Sequence, residues 1–355
     1  MKKKKVLFFL PPSVGGAERV TITIAKMLDR VSFDVHFVIV GRDRGVIAGL
    51  IPEGYPIHLV KVRNIWCFAT SKICRLLHQE RPDGVFCSMR YLNLRLIIAA
   101  RLCKGIKIIV RSNHNVAVFS PFNQLLMGRL YPLANCIIAQ QEEMKQDMVG
   151  MLNIDASLIT VLNNPVDVDA IRAQLEDAKS PYASGEDTNY VWTARIERHK
   201  GQDVLINAFV NVVKVNPKAH LYLVGAFNVE DSFYQLLIKL VNDLGIRDKV
   251  HFQGYSEKPY VWMKYADVFV MPSRTEGLPN ALLEAMYIGT PVVATTCIPA
   301  IERLVDDGKN GILVPSEDYL AMAEALLKAP KMTVHTSCYT SAKREEVNKL
   351  FKKAI

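Results

Sequence analysis

What most constrains this chain is an alternation that runs nearly its whole length: short continuous apolar runs, each followed by a stretch of helical periodicity. Val6–Leu10 reads as a buried strand. Further strand-like runs follow at Asp34–Val40, Pro56–Val62, Asp83–Met89, Lys107–Ser112, Cys136–Gln140 and Leu158–Leu162. Helical runs lie between most of them, at Arg19–Leu28, Ser71–Gln79, Leu92–Leu102 and Glu142–Leu152. The TITI within the first of these also fits a strand, because its apolar residues alternate. Continuous apolar strands separated by helices imply a parallel sheet covered on both faces.

The pattern breaks at Asn163-Asn164-Pro165-Val166-Asp167, and the polar stretch through residue 189 reads as loop. It restarts with strands at Tyr190–Ile196, Ala219–Val224, Val250–Gln253, Asp267–Met271, Pro291–Ala294 and Gly311–Val314. Helices fit Gln202–Lys214, Ser232–Leu244, Leu282–Ile288, Ile298–Leu304 and Asp318–Leu327, with a polar amphipathic helix at Ser341–Ala354. A length of 355 residues suits two domains, here 1–165 and 166–340. The expectation is α/β, two doubly wound domains facing a central cleft.

Half the residues are hydrophobic and 22% are charged, which fits a globular enzyme and excludes a disordered chain. Residues 1–165 carry 22 Lys/Arg against 11 Asp/Glu and the remainder 22 against 24, so the net charge of +9 comes from the first half. That asymmetry points to an anionic partner (nucleic acid, an acidic acceptor or an anionic leaflet) or to a solvated basic face. The seven cysteines form no C-x-x-C pair, which reads as reduced and cytosolic. The start, MKKKKVLFFLPP, holds an apolar run of five residues that ends at two prolines, too short for a signal peptide. No stretch approaches the ~18 apolar residues of a membrane span. A soluble or at most peripheral protein is expected.

In open α/β sheets, ligands bind at the carboxyl ends of the strands. SRTEGLPNALLEAM, residues 273–286, sets Glu276 and Glu284 on either side of a Gly277-Leu278-Pro279-Asn280 turn. Pro279 suits the first position of the helix that follows. Glu276 then lies in the loop and Glu284 about 7 Å along the helix, beside a helix start whose dipole favours anions. Arg195 and Lys200, in TARIERHKG, follow the strand Tyr190–Ile196; they read either as cations for a diphosphate or as a solvated basic turn. Gly15-Gly16 after the first strand permits close approach to a phosphate or sugar, or simply a tight turn. His114, in RSNHN, follows the strand Lys107–Ser112 with Asn113 and Asn115 beside it. The D-x-D at Asp167–Asp169 sits in the linker and reads as turn chemistry. No His/Cys/Asp cluster has metal spacing, so neither a metal nor another cofactor is expected.

Taken in order, GGAE, a loop histidine, R-x4-K-G and E-G-L-P-N-A-L-L-E resemble the retaining glycosyltransferases of family 4, over about residues 5–328. The resemblance implies the GT-B fold. It also implies that Glu284 binds the ribose hydroxyls of a nucleotide, and that Glu276 with the backbone of Gly277, Leu278 and Asn280 meets the donor hexose and diphosphate. Arg195 and Lys200 would hold the departing diphosphate, Gly15 and Gly16 would approach the phosphates, and His114 would contact the donor sugar. A hexose or N-acetylhexosamine would pass from a nucleotide sugar, expected to be a UDP-sugar, to a glycan or lipid-linked acceptor in surface polysaccharide or glycolipid synthesis. Two departures stand out: Ala194 where the family often has glycine, and a short polar tail, in which only Ser341–Ala354 could form the terminal helix that packs back on the first domain. The resemblance also implies that the first domain binds the acceptor. The cations Arg90, Arg95, Arg101, Lys104 and Lys107 there suggest an anionic lipid-linked acceptor and a cytoplasmic protein in peripheral contact with the inner leaflet. Glu276→Ala and Lys200→Ala are expected to abolish transfer with a nearly unchanged thermal melt.

Two other classes compete. A sugar-nucleotide epimerase of the same fold would need acid–base groups near His114 that the sequence does not offer. A nucleic-acid binder would need aromatic-rich basic strands or a helix-turn-helix, and neither is present, so no nucleic-acid partner is expected.

Overall fold

The computed structural model describes residues 2–62, 69–183, 185–332, 334 and 341–355. The chain divides into two compact units, Met1–Pro165 with Thr340–Ile355, and Val166–Tyr339.

Unit 1 runs β1 (Lys4–Leu10), α1 (Gly16–Met27), β2 (Phe33–Gly41), β3 (Ile57–Lys61), α2 (Ala69–Glu80), β4 (Gly84–Cys87) and α3 (Arg90–Leu102). It continues with β5 (Lys107–Arg111), α4 (Pro121–Leu130), β6 (Cys136–Ala139), α5 (Glu142–Leu152) and β7 (Ile159–Val161). The seven strands lie in the order β3-β2-β1-β4-β5-β6-β7, and every pairing is parallel. β1 shows why its sequence is apolar throughout. Leu7 and Phe9 enter the core on one face of the sheet, while Val6, Phe8 and Leu10 enter the core on the other.

Unit 2 runs α6 (Val168–Leu175), β8 (Thr188–Thr193), α7 (Gln202–Val215), β9 (Ala219–Val224), α8 (Ser232–Asp243), β10 (Val250–Gly254) and α9 (Pro259–Tyr265). After these come β11 (Val268–Met271), α10 (Asn280–Ile288), β12 (Val292–Thr295), α11 (Pro299–Leu304), β13 (Gly311–Val314) and α12 (Tyr319–Lys328). Its six strands, also parallel, take the order β10-β9-β8-β11-β12-β13. Each unit is therefore doubly wound, with its strand order reversing at one point: between β1 and β4, and between β8 and β11.

The last helix, α13 (Ser341–Ala354), belongs to unit 1. Its Phe351 is fully buried and stacks on Phe8 at 5.7 Å between ring centroids, with Phe86 at 5.8 Å and Phe33 edge-on at 6.3 Å. Asn348 bridges to the end of α1, its Nδ2 donating to the Met27 carbonyl and its Oδ1 accepting from the Asp29 N–H, both at 2.8 Å. Burial of a phenyl ring on this scale is worth about 1.5–3 kcal/mol.

The helix expected over Arg19–Leu28 is α1, and TITI lies within it, Thr21 and Thr23 donating their hydroxyls to the carbonyls of Ala17 and Arg19 one turn back, at 2.9 and 3.0 Å. Two local expectations change. The linker expected to be loop contains α6, whose start is capped by the Asp167 carboxylate accepting from the Ala170 N–H at 3.1 Å. Pro279 is the cap residue before α10, not its first turn. The cysteines Cys74, Cys87, Cys103, Cys136 and Cys297 are free; Cys67 and Cys338 lie outside the described residues.

Candidate active site

β8 and β11 are neighbours at the reversal point of the unit 2 sheet, and the loops leaving their carboxyl ends carry the candidate residues. The loop after β8 makes a turn of 3-10 helix at Arg198–Lys200 and then enters α7 through Gly201. Gly201 has φ +69°, and a Cβ there would lie 1.9 Å from the carbonyl oxygen of Pro272. Only glycine permits that approach, so it is what lets the Lys200 turn lie against the end of β11.

Across this contact Lys200 Nζ donates to both oxygens of Glu276, at 2.7 and 3.0 Å. Ser273, fully buried, donates its hydroxyl to Glu276 Oε1 at 2.7 Å. The two side chains are 20% and 9% exposed, so the pair is shielded from water and its attraction is little screened. Cys297 adjoins it. Burial first, and then the negative charge of Glu276, push its thiol up to about 11.

Glu284 is the fifth residue of α10, about 6 Å along its axis. It accepts from the Tyr260 hydroxyl at 3.1 Å. Gly277 and Leu278 form the turn before the Pro279 cap, and Asn280 opens the helix. Arg195 is placed differently. Its guanidinium lies on Glu197 at 2.8 Å and its side chain is 70% exposed, while its carbonyl accepts from Gln202 Nε2 at 2.9 Å. Lys200 and Glu276 thus meet directly, and Arg195 stands beside them facing solvent.

Arg274 was missed in the sequence. It donates through Nη1 and Nη2 to the two oxygens of Asp203, each at 2.8 Å, and through Nη1 to the Arg198 carbonyl at 2.6 Å. Glu317 takes its Nε at 2.5 Å. The bidentate bond to Asp203 is the largest cause of a guanidinium pKa raised further above its usual range. One side chain therefore ties the Glu276 loop to the Lys200 turn and to the first turn of α7. The signal available in sequence was only that Arg274 sits within the conspicuous SRTEG run.

Two family models divide the chain between them: one described as Glycosyltransferase Family 4 over residues 14–170, and one as Glycosyl transferases group 1 over residues 187–330. The chain belongs to the group 1, family 4 glycosyltransferases. The glycosyltransferase is 24% identical over 346 residues to the N-acetylgalactosamine-N,N'-diacetylbacillosaminyl-diphospho-undecaprenol 4-alpha-N-acetylgalactosaminyltransferase of Campylobacter jejuni, covering 91% of this chain and 89% of that one. It is 33% identical over 132 residues to the lipopolysaccharide core biosynthesis glycosyltransferase LpsE of Rhizobium meliloti, covering 37% and 36%. HepE of Anabaena, solved in complex with UDP and glucose, matches with a TM-score of 0.77 at 20% identity over 99% of this chain and 95% of that one. The fold is GT-B.

In unit 1 of the glycosyltransferase, Gly15 caps α1 and Gly16 opens it, directly after β1. His114 lies exposed in the loop after β5, edge-on to Phe119 at 6.3 Å. A buried network holds that loop. Arg111, 1% exposed, is bound by the side-chain oxygens of Asn113 and Asn164, and Asn113 Nδ2 donates to the Ser88 carbonyl at 2.6 Å. Burial brings the Arg111 guanidinium down to about 9.

The fold also assembles residues that spacing kept apart. His36, His58 and Glu80 offer ligand-type atoms within 4.8 Å of one another. The rings of His36 and His58 are within 9° of coplanar, with Nδ1 and Nε2 3.0 Å apart and centroids 5.3 Å apart. That centroid distance is the nitrogen separation plus a ring radius at each end, so the nitrogens face each other along a line, as in an N–H···N bond, instead of converging on an ion. β9 and β10 repeat the arrangement with His220 and His251, at 3.0 and 5.2 Å. Burial lowers the pKa of His58, His220 and His251 below the ordinary value. The unfolded chain therefore takes up protons first as pH falls, and stability present above about pH 6.5 is lost below it. Calorimetric melts should show Tm falling between about pH 7.5 and pH 5.5, with a smaller fall in His251→Gln. A profile flat across this window would show that these histidines do not carry the effect.

Proposed function

We propose that the glycosyltransferase moves a hexose or N-acetylhexosamine from a UDP-sugar to a glycan or lipid-linked acceptor, with retention of configuration. The observation that carries the reading is the shielded Lys200–Glu276 pair at the reversal point of the unit 2 sheet, with Glu284 nearby on α10. In this reading Glu284 and the Tyr260 hydroxyl take the ribose, Glu276 takes a hexose hydroxyl, and residues 277–280 approach the diphosphate. The bond from the anomeric carbon to the diphosphate oxygen breaks while an acceptor hydroxyl attacks the same face. Lys200, joined by Arg195 once it leaves Glu197, stabilises the charge that grows on the leaving oxygen. Side chains supply those cations, so no metal is assigned a role. The family roles of Gly15, Gly16 and His114 belong to the same proposal.

The HepE complex with UDP and glucose supports the donor, and the diphospho-undecaprenol in the Campylobacter relative's name supports a lipid-linked acceptor. No helix among the described residues is long and apolar enough to cross a membrane. The exposed Val118, Phe122 and Leu125 on the basic unit 1 fit peripheral contact with an anionic leaflet instead.

A thermal-shift screen against UDP, GDP and their sugars should show a rise of a few degrees with UDP and little with GDP. Incubation with UDP-sugar alone should give no second nucleotide sugar. A preference for GDP would overturn the assigned base, and a new nucleotide sugar formed without acceptor would mark an epimerase.

A further inference from the structure

Seven scattered cysteines suggest no pairing in the sequence, yet the fold of unit 1 brings two of them together. Cys74 lies midway along α2, and Cys103 caps the end of α3. The two helices bury their apolar residues in one core, and both cysteines lie half-buried against it. Their contacts are reciprocal. Cys103 Sγ donates to the backbone carbonyl of Cys74 at 3.7 Å. Cys74 Sγ donates to the Ala99 carbonyl at 3.7 Å, the same oxygen that accepts the Cys103 N–H at 3.2 Å. Burial, and then the neighbouring Cys74 thiol, push the Cys103 thiol up. Cys87 and Cys136 are instead enclosed within β4 and β6.

We propose that Cys74 and Cys103 form a redox-sensitive site, at which a low-molecular-weight disulfide such as oxidised glutathione converts the two thiols into a reversible disulfide joining α2 to the end of α3. A disulfide holds its two Cα atoms about 4.4–6.8 Å apart. Cys103 Sγ already meets an atom of Cys74 across a packed helix pair, so the remaining approach is a matter of side-chain rotation. In the first step one cysteine loses its proton and attacks a sulfur of the small disulfide. A mixed disulfide forms and one small thiolate leaves. The second cysteine then attacks the protein sulfur of the mixed disulfide, and the second small thiolate leaves. Two electrons pass from the cysteines to the oxidant, and the two protons end on the released thiols. The raised Cys103 thiol keeps its thiolate scarce near neutral pH, so exchange through it is slow. A metal fits the pair less well, because among the described residues no third His, Cys, Asp or Glu completes a ligand set with them. Reversible bonds of this kind are the sort found in reducing compartments. The site does not rest on the glycosyltransferase reading.

Incubation of the full chain with oxidised glutathione, followed by acid quenching, alkylation and tryptic mass spectrometry, tests the pair. Trypsin releases Ile73–Arg75 and Leu102–Lys104 as separate peptides. They should be recovered joined, from protein that stays a single chain in a denaturing gel, and dithiothreitol should separate them. Cys74→Ser and Cys103→Ser should each leave the remaining cysteine carrying glutathione without a link. Recovery of both wild-type peptides alkylated, each carrying glutathione without a link, or either joined to a third cysteine overturns the proposal.

Equilibrium in a glutathione buffer of fixed composition separates a built site from chance encounter. The fold keeps the two thiols together, so the ratio of linked to unlinked chain should be about tenfold or more higher in the native protein than in concentrated urea. By the same linkage the oxidised protein should melt a few degrees above the reduced one. An equal or smaller ratio in the native protein, or an oxidised form that melts lower, overturns the site.

Discussion

Lys200→Ala is expected to slow transfer by a hundredfold or more, the scale on which one preorganised charge stabilises a leaving group. It should also lower stability, contrary to the near-silent melt that the sequence alone led us to expect. The Lys200 ammonium holds both oxygens of a carboxylate that is only 9% exposed. Without it Glu276 keeps the Ser273 hydroxyl as its neutral donor, a loss of about 1–3 kcal/mol. Glu276→Ala should likewise abolish transfer while stranding the ammonium. Because each single change leaves a charge without its partner, Lys200→Ala/Glu276→Ala should lose less stability than the two singles together. Urea melts of the four proteins, with steady-state kinetics on each, measure both quantities. Additive stability losses with transfer intact would remove the pair from the active site.

Arg274→Lys should be nearly as damaging as Arg274→Ala. A lysine cannot reproduce two parallel bonds to Asp203 together with bonds to Glu317 and the Arg198 carbonyl. Arg274 and Asp203 are 24% and 19% exposed, so the stability loss should be about 2 kcal/mol, below that of a fully buried pair. Arg274 touches no proposed substrate atom; it positions the Lys200 and Glu276 loops against each other. Misplacement on the order of 1 Å can cost a hundredfold in rate, and the loss should fall on kcat with UDP affinity changed by less than about threefold. A variant with wild-type kcat would make Arg274 a stabilising residue alone.

The parallel sheets were legible because a strand buried on both faces has to be apolar along its whole length, as β1 is. Helices with weak or short patterns were not. α9 spans seven residues, and α4 leaves Phe122 and Leu125 exposed, so its apolar positions mark no buried stripe. α6 was obscured because an Asp before a polar run signals a turn and a helix cap equally well. The E-x7-E spacing displayed Glu276 and Glu284, but not that Lys200, 76 residues away, closes on Glu276. Nor did it show Arg195 turned to Glu197. Such pairings depend on which strands become neighbours, and a one-dimensional pattern does not encode that order.

The return of α13 to unit 1 has a consequence for how the protein is made. Phe351 covers Phe8, Phe33 and Phe86, and Lys4 Nζ donates to the carbonyl of Ile355 at 3.3 Å, so α13 lies beside β1 although the whole of unit 2 separates them in sequence. During synthesis, unit 1 emerges first yet lacks its covering helix until unit 2 has been translated and α13 follows it. All of unit 2 is translated in the interval, while the apolar face around Phe8 waits uncovered. Closing a loop of that length carries a chain-entropy penalty that grows only with the logarithm of its size. Delay and exposure to aggregation, more than equilibrium stability, are the burden of placing the first unit's covering helix after the second unit.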